Sequence, residues 1–296
     1  MFRTTDTPLL PRTITYEILK NANSNFESTM QVSEEWKYLM ESILDVKYNL
    51  YLTMEEQEQW AYYYSGNPAL EGHQYKEIGT LAQLDDQQCE RLGELRIVGL
   101  AIPNGIYAVD FREDSPTIRF QFKKLDVVSH HGDLDMLPKI VQTDFKEISM
   151  SYSSASKCFP LPATLKKLHL NDFCFREEDS QQEFLSFVQN MTWEEISVLN
   201  LWGEKLLKGN TTSLERVVIE AWREAEDPQL NLFQSDVLQE EEWRTFFEEI
   251  QHRGRMIDQN TLHIDHKRLK KTLCITVEHF YSNVLEPERR VHMRCL

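Results

Sequence analysis

The residues whose types could do chemistry are scattered. His130-His131 with Asp133 and Asp135, and His263-Ile264-Asp265-His266, carry imidazoles and carboxylates that could ligate a divalent metal or pass a proton. The second set reads as strand, where residues three apart face opposite sides of a sheet, so joint ligation by His263 and His266 is not expected. The first reads as a polar surface loop ending at Pro138. Glu240-Glu241-Glu242 precede Trp243 at a helix start, where the helix dipole favours negative charge. That is a capping feature rather than a general base. No HExxH, P-loop, GxGxxG or GxSxG occurs. No catalytic residue, metal site or cofactor is therefore expected. A Ser/His/Asp or Cys/His grouping would assemble only in the fold, so an enzyme of unrecognised type remains a rival reading.

The five cysteines, Cys89, Cys158, Cys174, Cys274 and Cys295, are odd in number and widely spaced. They form neither a disulfide framework nor a zinc pattern, and they suit a reducing compartment. The 48 acidic and 32 basic residues give a net charge of −16. A duplex nucleic-acid binder needs a basic face, so that class is set aside. The basic clusters Lys123-Lys124, Lys166-Lys167 and His266-Lys267-Arg268 with Lys270-Lys271 are short and read as solvated edges or loops. No run approaches the roughly 20 apolar residues of a membrane span. Met1 to Thr7 lacks the apolar core of a secretory signal, so the sequons at Asn190 and Asn210 are expected to go unused. The expected location is the cytoplasm or the nucleus, with neither nucleic acid nor membrane as partner.

The 296 residues, 41% hydrophobic and 27% charged, suggest a globular chain of about two domains. Tyr48, Leu50 and Leu52 alternate as a strand, and Trp60 to Tyr75 reads as a strand edge or ordered loop. Leu95 to Leu100, Tyr107 to Phe111 and Thr117 to Phe122 are strand candidates, separated by turn signals at Asn104-Gly105 and Asp114-Ser115-Pro116. In the second half Ile148 and Met150 mark a strand. Leu165, Leu168 and Leu170 mark another in LxxLxL spacing, which Leu214, Val217 and Ile219 repeat. Phe184, Phe187, Val188 and Met191 form a helical stripe, as do Trp243, Phe246, Phe247 and Ile250. Trp193 to Lys208 fits either a strand through Ile196, Val198 and Leu199 or a helix through Trp202, Leu206 and Leu207 ending before Gly209. Leu262 with Ile264, Leu273 with Ile275 and Val277, and Val291 with Met293 read as closing strands.

LxxLxL strands with variable returns resemble an irregular leucine-rich repeat, in which neighbouring units stack to bury faces that none can bury alone. Asn171 directly follows Leu170 and Cys174 lies further on, so the full consensus is not met. The expected fold class is α/β: a small helical N-terminus over residues 1–46 and an irregular leucine-rich-repeat-like body over residues 47–296.

The N-terminal segment has its own pattern. Ile14 and Ile18 are one helical turn apart, and Trp36, Leu39, Met40, Ile43 and Leu44 follow i, i+3, i+4, i+7, i+8. Pro11 suits a first helical turn. So small a unit cannot bury enough surface alone and needs a neighbour or a partner. The series Leu10-Pro11, Ile18-Leu19, Val32-Ser33, Trp36 and Leu39 resembles an F-box, with Phe26 and Met30 where that family usually has a leucine-rich turn. The resemblance implies docking on a Skp-type adaptor, and through it a cullin, by Leu10, Pro11, Ile14, Ile18, Leu19, Val32 and Trp36.

Further along, Trp202 and Leu206-Leu207-Lys208-Gly209-Asn210 followed by Leu214-Glu215-Arg216, with the Lys-, Thr- and Ile-rich strand pair near the end, resemble the F-box-associated domain of the expanded nematode F-box families. The two resemblances occur in the expected order. They imply a non-catalytic substrate-recognition adaptor of a Skp–cullin–F-box ubiquitin ligase that holds an unidentified protein target for ubiquitination and degradation. The rival within the same class is a ligase-independent binding protein, such as a toxin-neutralising antidote.

Overall fold

The computed structural model describes residues 36, 48–54, 60–65, 75–78, 83–84, 89, 92–99, 101–102, 105–106, 117–128, 131–132, 141–155, 161–175, 178–199, 214–237, 240–281 and 287–296. The chain is mixed α/β and dominated by one large sheet. In order, the strands are β1 (Tyr48–Met54), β2 (Trp60–Ser65), β3 (Tyr75–Ile78), β4 (Leu92–Gly99), β5 (Ala101–Ile102), β6 (Gly105–Ile106), β7 (Lys124–Val128), β8 (His131–Gly132), β9 (Glu147–Ala155) and β10 (Lys167–Phe175). They continue as β11 (Glu195–Leu199), β12 (Leu232–Val237), β13 (Arg255–Asp258), β14 (Thr261–Asp265), β15 (Thr272–Tyr281) and β16 (Pro287–Cys295). The helices are α1 (Glu178–Gln189), α2 (Leu214–Glu224) and α3 (Glu240–Gln251).

Strands β1, β4, β7, β9, β10, β11 and β12 lie side by side, all parallel and in chain order. Antiparallel strands extend both ends, β2 and β3 beyond β1, and β16, β15, β14 and β13 beyond β12. Parallel strands laid down in chain order, with right-handed crossovers, carry their returns on one side of the sheet. There α1 meets β10 through Phe184 and Phe175, ring centroids 5.1 Å apart, and packs beside α2. The indole of Trp193 donates to the Val188 carbonyl at 2.9 Å and closes the end of α1.

The covered face is built from two in-register rows. One runs Leu50, Leu95, Leu125, Ile148, Leu168, Ile196, Phe233, and none of these is more than 1% exposed. The next runs Leu52, Ile97, Val127, Met150, Leu170, Val198, Ser235. Burying each large apolar side chain of these rows stabilises the fold by roughly 1.5–3 kcal/mol.

The expected strand at Leu214, Val217 and Ile219 is instead helix α2. Leu214, Val217, Val218, Ala221 and Trp222 recur at i, i+3, i+4, i+7, i+8, and LxxLxL shares its first interval with that helical stripe. Glu215 in the first turn and Arg223 in the last suit the helix dipole. The strand expected over Thr117 to Phe122 is also absent. Ile118 makes a single bridge to Val141, and the true strand follows at β7. In β7 Leu125 and Val127 face the core, and Asp126 between them points to the opposite face. Trp193 to Lys208 resolves over its first part as β11. Tyr107 to Phe111, and Trp202, Leu206, Leu207 and Gly209, lie outside the described residues.

Candidate binding face

The side of the sheet opposite α1 and α2 carries polar side chains, because residues alternate faces along each strand. In-register pairing sets them in rows. Glu94, Lys124, Glu147, Lys167 and Glu195 stand side by side on β4, β7, β9, β10 and β11. The sign of the charge alternates at every step. Adjacent strands are about 4.8 Å apart, so a row of like charges would repel, and opposite charges directly across attract. The Lys124 ammonium lies 3.5 Å from Glu94 and 3.7 Å from Glu147, and Lys167 Nζ donates to Glu195 Oε1 at 2.5 Å. That bond holds the Lys167 pKa above its usual value, against the opposing pull of burial.

One row along, Tyr51, Arg96, Asp126, Ser149, His169, Ser197 and Gln234 line up, continuing to His292 on β16. Arg96 Nε sits 2.9 Å from the buried Asp126 carboxylate, and its guanidinium lies 5.6 Å from the Tyr51 ring centroid. Burial alone would lower the Arg96 pKa, but the Tyr51 hydroxyl and the Asp126 charge outweigh it and the net shift is upward. His169 Nε2 lies 3.9 Å from Glu147 Oε1 and 3.9 Å from Glu195 Oε2. Burial pushes the His169 pKa below the usual imidazole value, although both carboxylates pull the other way. At neutral pH the ring is uncharged. Toward β16, Arg290 Nε donates to Asp236 at 3.0 Å, and His292 Nδ1 lies 3.3 Å from the Gln234 amide.

Tyr152 on β9 and Asp172 on β10 both have left-handed backbones, φ 51° and 49°. They occupy matching places, since Ser151 pairs with Asn171 and Ser153 with Phe173. The twin irregularity shifts the alternation, so that Phe173 and Phe175 turn into the core. It also leaves Tyr152 54% exposed.

On the other side of the sheet a cleft of about 290 Å³ is lined by α1, α2 and α3, with Val217, Ile219 and Ile250 among its walls. The ion pairs Arg216–Glu249 and Arg253–Glu220 link α2 to α3 and its end there. Those charges satisfy one another and offer no ready charged ligand site.

The chemically capable histidines do not converge. Both ring nitrogens of His266 are used inside the fold. Nδ1 accepts the backbone N–H of Arg268 and Leu269 at 3.2 and 3.1 Å, so Nε2 is the donor to the Ala225 carbonyl at 3.0 Å. Its ring meets the Trp222 indole edge-on, 5.1 Å between centroids, and so ties the β14–β15 turn to the end of α2. His263 is half-buried on β14. His130, Asp133 and Asp135 lie outside the described residues. Among the described residues no group of three or more His, Cys, Asp or Glu side chains is arranged to hold a metal. Cys89, Cys174, Cys274 and Cys295 form no disulfide among the described residues. No helix among the described residues is long and apolar enough to cross a membrane. Of the residues expected to meet a Skp-type adaptor, Leu10, Pro11, Ile14, Ile18, Leu19 and Val32 lie outside the described residues, and Trp36 is helical and half-buried.

The charged row matches none of the catalytic or metal-binding motifs, yet it has a sequence signature. Glu94-Leu-Arg-Ile, Lys124-Leu-Asp-Val, Glu147-Ile-Ser-Met, Lys167-Leu-His-Leu and Glu195-Ile-Ser-Val share one pattern of charged, aliphatic, polar, aliphatic. No protein family, no curated protein and no solved structure matches the chain.

Proposed function

We infer that the chain is a non-catalytic protein-binding adaptor. Its N-terminal segment, residues 1–46, would dock a Skp-type adaptor and through it a cullin. Its body, residues 47–296, would hold a protein target for ubiquitination. We read the run of parallel strands in chain order as an irregular leucine-rich-repeat-like architecture. The observation that carries the reading is the open face: five adjacent strands present one aligned row of charged side chains, followed by a second polar row. A broad, polar, half-exposed surface is the form of a protein-recognition site rather than of a closed reaction chamber.

Calorimetry of the full chain with a Skp adaptor tests the first half of the reading. Replacing Leu10 and Pro11 with alanine should abolish the interaction and leave target capture intact. Unchanged adaptor binding would sink it. A chain that captures a target yet never co-purifies with a Skp adaptor is a ligase-independent binding protein, the antidote-like reading.

A further inference from the structure

We propose that the antiparallel end of the sheet, strands β13 to β16 with the turn between β14 and β15, receives an acidic segment of a protein partner. The inference rests on the reading of the body as a protein-binding unit and adds the class of segment it takes.

Two independent signs of a contact surface fall on this end. Residues 252–296 hold nine Lys and Arg against five Asp and Glu, in a chain whose net charge is −16. Of the five large apolar side chains exposed among the described residues, four belong here: Met256, Ile257, Leu269 and Leu296.

Register puts the cations in place. Arg255 on β13, His263 on β14, Cys274 on β15 and Arg294 on β16 stand opposite one another, strand by strand. They lie on the polar face, because the residues next to them, Leu262, Leu273 and Met293, are core. Three strand spacings separate the two arginines, about 14 Å. Both are exposed. In the next row the Asp265 carboxylate accepts from the Thr272 hydroxyl at 2.8 Å. Beyond that row the turn presents Arg268, Leu269 and Lys270, all exposed.

The turn is held in shape by its other residues. His266 Nδ1 accepts the backbone N–H of Arg268 and Leu269. Lys267 pairs with Glu224, and Lys271 Nζ lies 3.1 Å from Asp227 Oδ1 and donates to the Pro228 carbonyl at 2.9 Å. The outer lysines are engaged at the end of α2, whereas Arg255, Arg268, Lys270 and Arg294 make no ion pair or side-chain hydrogen bond among the described residues. A turn already ordered in this way loses little freedom when a partner binds it.

Unpaired cations around an exposed leucine match carboxylates with an apolar residue among them. At about 3.3 Å per residue, an extended segment laid across the row spans the two arginines in roughly four residues. Acids four apart would meet both, with the residue between them over His263 and Cys274. A short segment is favoured over a broad anionic surface. The rest of the chain is more acidic than the whole, and a bilayer or a duplex reaching past this end would meet that charge.

The test is an amide NMR titration of the full-length protein at low salt. The probes are the blocked peptide Glu-Ala-Leu-Ala-Glu and its counterpart Lys-Ala-Leu-Ala-Lys. The glutamate peptide should shift the backbone amides of Arg255, Arg268, Leu269 and Arg294 saturably, and the lysine peptide should not. Arg255→Gln or Arg294→Gln should weaken binding roughly two- to fivefold, the range of an exposed ion pair. Lys123→Gln, which removes the same charge beside β7, far along the sheet, should leave binding unchanged. No response to the glutamate peptide, an equal response to the lysine peptide, or a loss in Lys123→Gln equal to that in Arg294→Gln overturns the proposal. Phosphatidylserine vesicles that shift these amides where the peptide does not overturn it in favour of a membrane surface. The peptide pair decides the matter without any variant. No target or Skp adaptor enters the titration. Target capture by a chain whose basic end ignores the peptide rejects this site alone, and a peptide-binding end in a chain that captures nothing rejects the adaptor reading alone.

Discussion

The Ser235 hydroxyl on β12 donates a hydrogen bond to the Glu215 carboxylate on α2 across the covered face of the sheet, at 2.5 Å. Both residues are only 4% exposed. Elsewhere that row is aliphatic or Met, from Leu52 to Val198, so the pair is a polar contact set into an apolar layer. It fixes where the first turn of α2 lies on the sheet.

Ser235→Ala should therefore destabilise the protein by about 1–3 kcal/mol, since it takes a hydrogen-bond donor from a buried carboxylate. Urea unfolding monitored by circular dichroism measures it. A loss near zero would mean that water replaces the hydroxyl.

Leu168 sits in the fully buried row and touches both neighbouring strands through Ile148 and Ile196. Leu168→Ala should be less stable by roughly 2–5 kcal/mol, the sum of lost transfer energy and a residual cavity. The same unfolding experiment checks it, and a loss below about 0.5 kcal/mol would contradict the burial.

Much of this core was legible in the sequence. Leu50 and Leu52, Ile148 and Met150, Leu168 and Leu170, and Leu273, Ile275 and Val277 alternate cleanly, and each alternation is a strand. Phe184 and Val188, one turn apart, gave α1, and Phe246 and Ile250 gave α3. Two things misled. Leu214, Val217 and Ile219 fit a repeat strand and a helix almost equally over so short a window, and the tie breaks only with Val218, Ala221 and Trp222. β7 is too short to stand out, since only Leu125 and Val127 alternate about Asp126, whose partner Arg96 lies on another strand. The charged row was hidden for the same reason: its members are scattered along the sequence and become neighbours only through the parallel register.

Register dependence gives the row its own prediction. Lys167→Glu places like charge beside both Glu147 and Glu195, and should destabilise the protein by about 1–2 kcal/mol at low salt. At 1 M salt, where the Debye length is about 3 Å, most of that loss should vanish. Lys167→Met should lose less than about 1 kcal/mol at either salt concentration. A salt-independent loss in Lys167→Glu would assign its effect to packing of the lysine stem instead.

His169 predicts a pH dependence of stability. Its folded-state pKa is lowered from the 6.5 of a free imidazole, mainly by burial. Below that value the unfolded chain takes up the proton more readily than the folded one, so stability falls as pH drops through about 6.5 and levels off below the folded pKa. His169→Gln removes this contribution. The difference in unfolding free energy between the wild type and His169→Gln should change between pH 7.5 and 5, moving against the wild type at the acidic end. A difference that is flat over this range would show that the two carboxylates offset the burial.

Tyr152 carries the last prediction. A left-handed backbone is unfavourable by roughly 1–2 kcal/mol for a residue with a Cβ, and an aromatic ring that is 54% exposed recovers little by packing. Tyr152→Gly relieves the backbone strain but adds freedom to the unfolded chain, worth about 0.4–1 kcal/mol in the other direction. The net should be a gain of up to about 1 kcal/mol, read by urea unfolding. Tyr152→Ala keeps the Cβ and should show no gain. Exposed tyrosines are common anchors at protein interfaces, and backbone strain at an exposed residue is a sign of function. On the adaptor reading, Tyr152→Gly should be more stable than the wild type and yet capture the target less well. A variant that is more stable and binds equally well would place the target elsewhere on the open face.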